Sequence, residues 1–192
     1  MSKRDQKKEA ILLAGMEIMR GKGYNGTSVK DIVDAAGVPK GSFYNYFVSK
    51  EDFALTAVEH AANENLIAAQ KVLGDTSINP LLRLASYFEA SIQKACTAQF
   101  KEGCFLGNMC QEMADSSSGL REALDRKMQR LTAEIAKVIE EVFAERGNQR
   151  DLQATQTAEF LFNAWEGALM RAKASKSRAP LDAFLTMLPV IL

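Results

Sequence analysis

Residues 27–52 read TSVKDIVDAAGVPKGSFYNYFVSKED, and this stretch decides the fold. Thr27 or Ser28 can cap a helix with its side-chain oxygen, and Val29, Ile32, Val33 and Ala36 then fall on that helix's inward face. Gly37 permits a left-handed turn at no steric cost, and Pro39 suits the opening turn of a following helix, where its missing N–H is no loss. Two short helices joined this closely form a helix-turn-helix. The second, expected over 40–46, carries what a reader of the DNA major groove needs. Gly41 and Ser42 are small enough for close approach to the duplex, while Lys40, Tyr44, Asn45 and Tyr46 offer donors and apolar edges to the bases. Phe43 and Phe47 should face the other way, into the interior of the head. Thr27 and Ser28 join the DNA-contacting set. Lys50 follows at the start of the next helix, where side chain and helix N-terminus together suit a phosphate. Taken singly, Tyr44 and Tyr46 would serve equally well as packing aromatics on a short amphipathic helix; the run as a whole favours DNA.

Outward from this stretch, apolar residues recur with helical period. Leu81, Leu84, Ala85, Phe88, Ile92 and Ala95 mark one face, and Leu120, Leu124, Met128, Leu131, Ile135, Val138 and Val142 mark a longer one. Glycine, proline and serine clusters cut the chain near residues 21–23, 37–39, 74–75, 116–119, 147–148 and 175–180. The pattern predicts helices over 4–20, 27–36, 40–46, 50–73, 80–98, 104–115, 118–146, 150–174 and 180–191, and no strand. The fold class is therefore all-α, with a helix-turn-helix domain over 1–48 and a larger helical domain over 49–192. Ser49 can cap the helix that begins near Lys50, with Asp52 where a capping box places its acid.

Lys/Arg and Asp/Glu balance at 24 each, but unevenly along the chain. Residues 1–50 hold nine Lys/Arg against five Asp/Glu, a balance of +4, which leaves −4 for residues 51–192. A polyanion is favoured only by the N-terminal quarter. A DNA-architectural protein would be basic over far more of its surface, and would not need so large an acidic body. No segment reaches the length of about 20 apolar residues that a membrane span needs, and no signal-peptide pattern follows the basic start, so a cytoplasmic protein with no membrane partner is expected.

The three cysteines, Cys96, Cys104 and Cys110, form no CxxC pair, and His60 lies far from them in sequence, so neither a metal site nor a disulfide scaffold is expected. Catalysis by a Cys-His pair would need His60 against Cys104 and a third group behind it, and nothing in the spacing suggests this. The chain is not expected to be an enzyme, and no cofactor is implied. Met109, Met113, Tyr87, Phe88, Phe105 and Trp165 could line a small-molecule cavity, though such residues fill cores as readily.

The stretch from Gly23 to Asp52 resembles the DNA-binding signature of the TetR family, in which G-x-x-x-T-S-V-x-D-I precedes A-G-V-x-x-G-S-F-Y-x-Y-F and S-K-E. The resemblance implies a regulator, most simply a repressor, that binds a palindromic operator as a homodimer and is released by a small-molecule effector. It also implies that the last two long helices dimerise; Phe160, Leu161, Ala164, Ala168, Phe184, Leu185 and Leu188 offer the apolar faces. In the body, Gly103-Cys104-Phe105-Leu106-Gly107-Asn108 and Trp165-Glu166-Gly167-Ala168 are similar to the subgroup that includes repressors of N-ethylmaleimide reductase and of acrylate metabolism. That similarity implies sensing of electrophiles or small unsaturated acids, with Cys104 as the reactive thiol and Lys173 as its partner; Tyr87, Phe105 and Trp165, from the aromatic set above, are expected about the effector. A thiol at the start of a helix does feel the positive end of the helix dipole, and a nearby lysine would favour the thiolate further. A purely reversible ligand, with Cys104 a small buried hydrophobe, is the alternative.

Overall fold

The helices follow in the order α1 (Lys3–Lys22), α2 (Val29–Ala35), α3 (Lys40–Tyr44), α4 (Lys50–Leu73), α5 (Pro80–Thr97), α6 (Phe105–Met113), α7 (Ser118–Arg146), α8 (Ala154–Ser175) and α9 (Ala179–Ile191). This computed structural model describes residues 2–146 and 152–192, and among them no strand occurs. The predicted helices are all present, most with an end shifted by one or two residues; the expected start of the eighth at residue 150 lies outside the described residues. None of the described helices is long and apolar enough to cross a membrane.

Two compact units emerge. The first takes residues 1–62 and 105–125, which hold α1 to α3, the first half of α4, all of α6 and the opening turns of α7. Its core includes Ile11, Met16, Met19, Ile32, Val33, Phe43, Phe47 and Phe53, each at most 3% exposed. Three of these rings interlock, with centroids 5.2 Å apart for Phe43 and Phe47, 5.8 Å for Phe43 and Phe53, and 5.0 Å for Phe47 and Phe53. Burial of each such side chain stabilises by about 1.5–3 kcal/mol. At Gly15 a Cβ would come within 2.5 Å of the Phe53 ring and 2.8 Å of Ile32 Cγ2, so α1 packs there on bare backbone. Ser28, rather than Thr27, caps α2: it accepts from the Asp31 N–H while the Asp31 carboxylate takes the Ser28 N–H.

The second unit takes residues 63–104 and 126–192. Phe88, Trp165 and Phe184 form its aromatic centre, with centroids 4.7–5.3 Å apart. Arg83, 2% exposed, donates to the Leu73 carbonyl at 2.6 Å and pairs with Glu141, so a charged side chain completes the last turn of α4. These units do not follow the expected division at 48/49. Phe105, Leu106, Met109 and Met113 make α6 apolar along one face, and that face is buried with the head's unit. Periodicity reveals such a face, not which core receives it.

Candidate functional site

In the head, Gly37 adopts φ +65° and closes α2, and Pro39 stands as the N-cap residue of α3 rather than inside it. The helix ends at Tyr44, two residues sooner than expected, with Asn45 and Tyr46 in the turn that follows. Phe43 and Phe47 face inward, as their spacing required. Tyr44, 54% exposed, lies edge-on against Phe43 with centroids 5.3 Å apart, so the ring has one packed neighbour and an accessible remainder. Lys40, Gly41 and Asn45 are exposed, and Ser42 and Tyr46 half-buried. All five, like Tyr44, lie on or just beyond α3.

The remaining residues of the DNA-contacting set are held otherwise. Thr27 is buried, and its hydroxyl donates to the Gly23 carbonyl at 2.6 Å. Ser28 is exposed but its hydroxyl is engaged by Asp31. Lys50, expected on phosphate, turns inward: its Nζ donates to the Tyr24 carbonyl at 3.1 Å and the Thr27 carbonyl at 3.0 Å, and sits 4.0 Å from the centre of the Tyr24 ring. Its position at the first residue of α4 lets the side chain reach back across the α1–α2 turn, where carbonyl oxygens solvate the ammonium. The opening of α4 is capped by Ser49, which accepts from the Asp52 N–H at 3.1 Å, while the Asp52 carboxylate takes the Val48 N–H at 2.9 Å.

In the second unit, the turn between α5 and α6 departs from ordinary backbone geometry. Gln99 and Phe100 have φ of 52° and 53°, and Gly103 has 75°. Left-handed geometry costs a side-chain-bearing residue about 1–2 kcal/mol, so this turn must be held by its surroundings. Two lysines from the end of α8 do so. Lys176 Nζ donates to the Phe100 carbonyl at 2.9 Å, and Lys173 Nζ to the Glu102 carbonyl at 3.1 Å. Cys104 comes next, a half-buried thiol in no disulfide, immediately before α6.

Glu166 hydrogen-bonds the Cys104 thiol, and Lys173 is engaged by the carbonyl of Glu102, two residues before it. Burial raises the Glu166 carboxyl above its usual range, with the Cys104 hydrogen bond acting in the opposite direction. Tyr87 completes the group; burial first, then the adjoining Cys104 and Glu166, pushes its phenol well above the ordinary value. Glu166 and Lys173 lie seven residues apart on α8, two turns along one face. That spacing was readable in the sequence and could have brought Glu166 forward; Lys176 had no comparable signal, because its left-handed φ of 50° at the helix end redirects its side chain. Trp165 is built into the aromatic centre of this unit. Phe105, placed with the effector residues by the sequence, is buried in the first unit, with the Arg20 guanidinium 5.2 Å from its ring centre.

The outer side of α8 and α9 carries an open apolar groove of about 530 Å³, lined by residues that include Phe160, Ala164, Ala168, Phe184 and Met187. Phe160 is 57% and Met187 48% exposed in the single chain.

Proteins that read DNA through such a head and carry a larger helical body on the same chain form the class of one-component transcription regulators. This chain is one of them, and it belongs to the TetR family. Residues 11–57 match the model of bacterial regulatory proteins of the tetR family, and residues 80–188 that of the tetracyclin repressor-like C-terminal domain. It is 34% identical over 180 residues to the HTH-type transcriptional repressor DhaR of a Mycobacterium species, covering 94% of this chain and 89% of that protein. The transcriptional regulator AcuR of Cereibacter sphaeroides is 32% identical, over 92% of this chain and 80% of its own. Among solved structures, a regulatory protein TetR from Rhodobacter sphaeroides superposes with a TM-score of 0.88 at 32% identity, covering 94% of this chain and 95% of that one. The reduced form of Escherichia coli NemR does so with 0.83 at 27%, covering 95% of both chains.

Proposed function

We propose that this DNA-binding regulator is a repressor that binds an inverted-repeat operator as a homodimer and lets go when a small electrophile adds to Cys104. The observation that carries the sensing half is the grouping of a thiol, a half-buried carboxyl and a half-buried phenol beside a strained turn. A carboxylate made more basic by burial is suited to take the thiol proton as sulfur attacks an unsaturated carbon, and a neighbouring phenol can donate to the carbonyl oxygen of such a molecule. Lys173 then acts on the backbone ahead of Cys104 rather than on its charge. Resemblance to proteins named as repressors supports repression rather than activation. The groove on α8 and α9 supports dimerisation, because exposed Phe160 and Met187 flank Ala164 and Ala168, whose small size allows close helix approach. A regulator of this kind works on the chromosome, in the cytoplasm.

Selection of duplexes from random sequence by the purified protein tests the reading half. Enrichment of an inverted repeat with half-sites about one helical turn apart is expected. Enrichment of a single unrepeated site would remove the dimeric operator model.

A further inference from the structure

The turn between α1 and α2 is gripped from two sides, and one grip comes from far along the chain. Glu112, next to last in α6, takes the Tyr24 N–H on Oε1 at 3.1 Å and the Asn25 N–H on Oε2 at 2.8 Å. Both carboxylate oxygens are thus committed to two successive backbone donors, a bidentate contact that fixes orientation as well as distance. Gly23, at φ +75°, lies directly beneath: a Cβ there would overlap Glu112 Oε1. On the acceptor side, Lys50 holds the Tyr24 and Thr27 carbonyls. Four residues beyond α6, Ser117 donates to Glu51, the neighbour of Lys50. All of these residues belong to the first unit.

The turn so gripped determines where α2 begins. Asn25 stands three residues before Ser28, the cap of α2, and α2 is joined to α3 by the short Gly37 connection. A shift at residues 24–25 is therefore passed to the helix that carries Tyr44. The contact is also exacting. An amide in place of the carboxylate can accept with its oxygen only, and its NH₂ would face a backbone N–H.

We propose that Glu112 is a positioning residue for operator binding: from α6 it sets the α1–α2 turn, and through it the placement of the helix-turn-helix, which makes specific affinity depend on an element outside the head's own sequence. The proposal rests on α3 as the reader of DNA. A charge-assisted hydrogen bond is among the stronger contacts of its kind, and losing it is enough for about an order of magnitude in affinity where placement is at stake. Operator and random-sequence affinity should be measured for the parent, Glu112→Gln and Glu112→Ala, together with amide exchange at Tyr24 and Asn25. Glu112→Ala is expected to lose about tenfold in operator affinity and Glu112→Gln a smaller factor, with random-sequence affinity and helicity unchanged and faster exchange at both amides. Parent-like operator affinity in both variants would overturn the proposal, and so would an equal loss on operator and random DNA, which a merely structural contact would give. Tyr44→Ala is the control: should it keep full operator affinity, the reading of α3 is at fault, whereas the Glu112 comparison is read on operator affinity directly.

Discussion

At Tyr44, exposure and rigidity coincide, because the ring rests edge-on against buried Phe43 while much of its surface stays accessible. Tyr44→Ala should abolish discrimination between operator and random DNA while leaving helicity intact, which band-shift titration and circular dichroism would check together. Lys40 is exposed beside it and Lys50 is not, and the two lysines should part in their salt dependence. Lys40→Ala should flatten the slope of log affinity against log salt by about one ion if it contacts phosphate. Lys50→Ala should leave the slope alone and lower the head's stability, since two carbonyls lose their partner. Equal slopes for Lys40→Ala and the parent would remove Lys40 from the interface. Glu166 gives a prediction of definite sign. Its folded carboxyl binds a proton more tightly than in the unfolded chain, so the native state holds more protons above the unfolded value and stability falls as pH rises through the folded one. Glu166→Gln should therefore raise the melting temperature at neutral pH, with the gain shrinking below the ordinary carboxylate range. A gain that stayed constant down to that range would point to packing instead.

Among the helices, α6 shows best what a sequence discloses and what it withholds. Its boundaries were legible within two residues, because Gly103 and the serines after Asp115 punctuate a clear apolar period. Its destination was not, since Phe105 and Met109 satisfy any apolar core equally. The helix-turn-helix was legible almost to the residue because turn chemistry is local: Gly37, Pro39 and the Ser28–Asp31 cap each act within four positions. The inward contacts of Lys50 were not legible, for the converse reason. Its partners are backbone carbonyls of Tyr24 and Thr27, more than twenty residues away, and no pattern of side chains announces a carbonyl. Arg83 likewise answers a backbone carbonyl, that of Leu73, which no side-chain pattern announces. Removing it should be costly: Arg83→Met leaves the Leu73 carbonyl without its charged donor, and chemical denaturation should show a loss of about 1.5–3 kcal/mol. A loss within about 0.5 kcal/mol, as at an ordinary surface site, would mean that water replaces the guanidinium at no cost.

For the molecule as a whole, the proposed function puts operator recognition, dimerisation and sensing on different surfaces, and each should fail separately. Phe160→Glu combined with Met187→Glu places charge in the apolar groove of α8 and α9; sedimentation should show monomers, and operator affinity should drop because a lone head keeps only one half-site. The proposed sensing step is tested by operator affinity before and after N-ethylmaleimide, on a duplex recovered by selection, with the parent and Cys104→Ser compared and the adduct located by mass spectrometry. Release of the parent with an adduct on Cys104, and full retention by Cys104→Ser, is the expected result. Equal release of both proteins, or an adduct on Cys104 with operator still bound, would contradict covalent sensing at this residue.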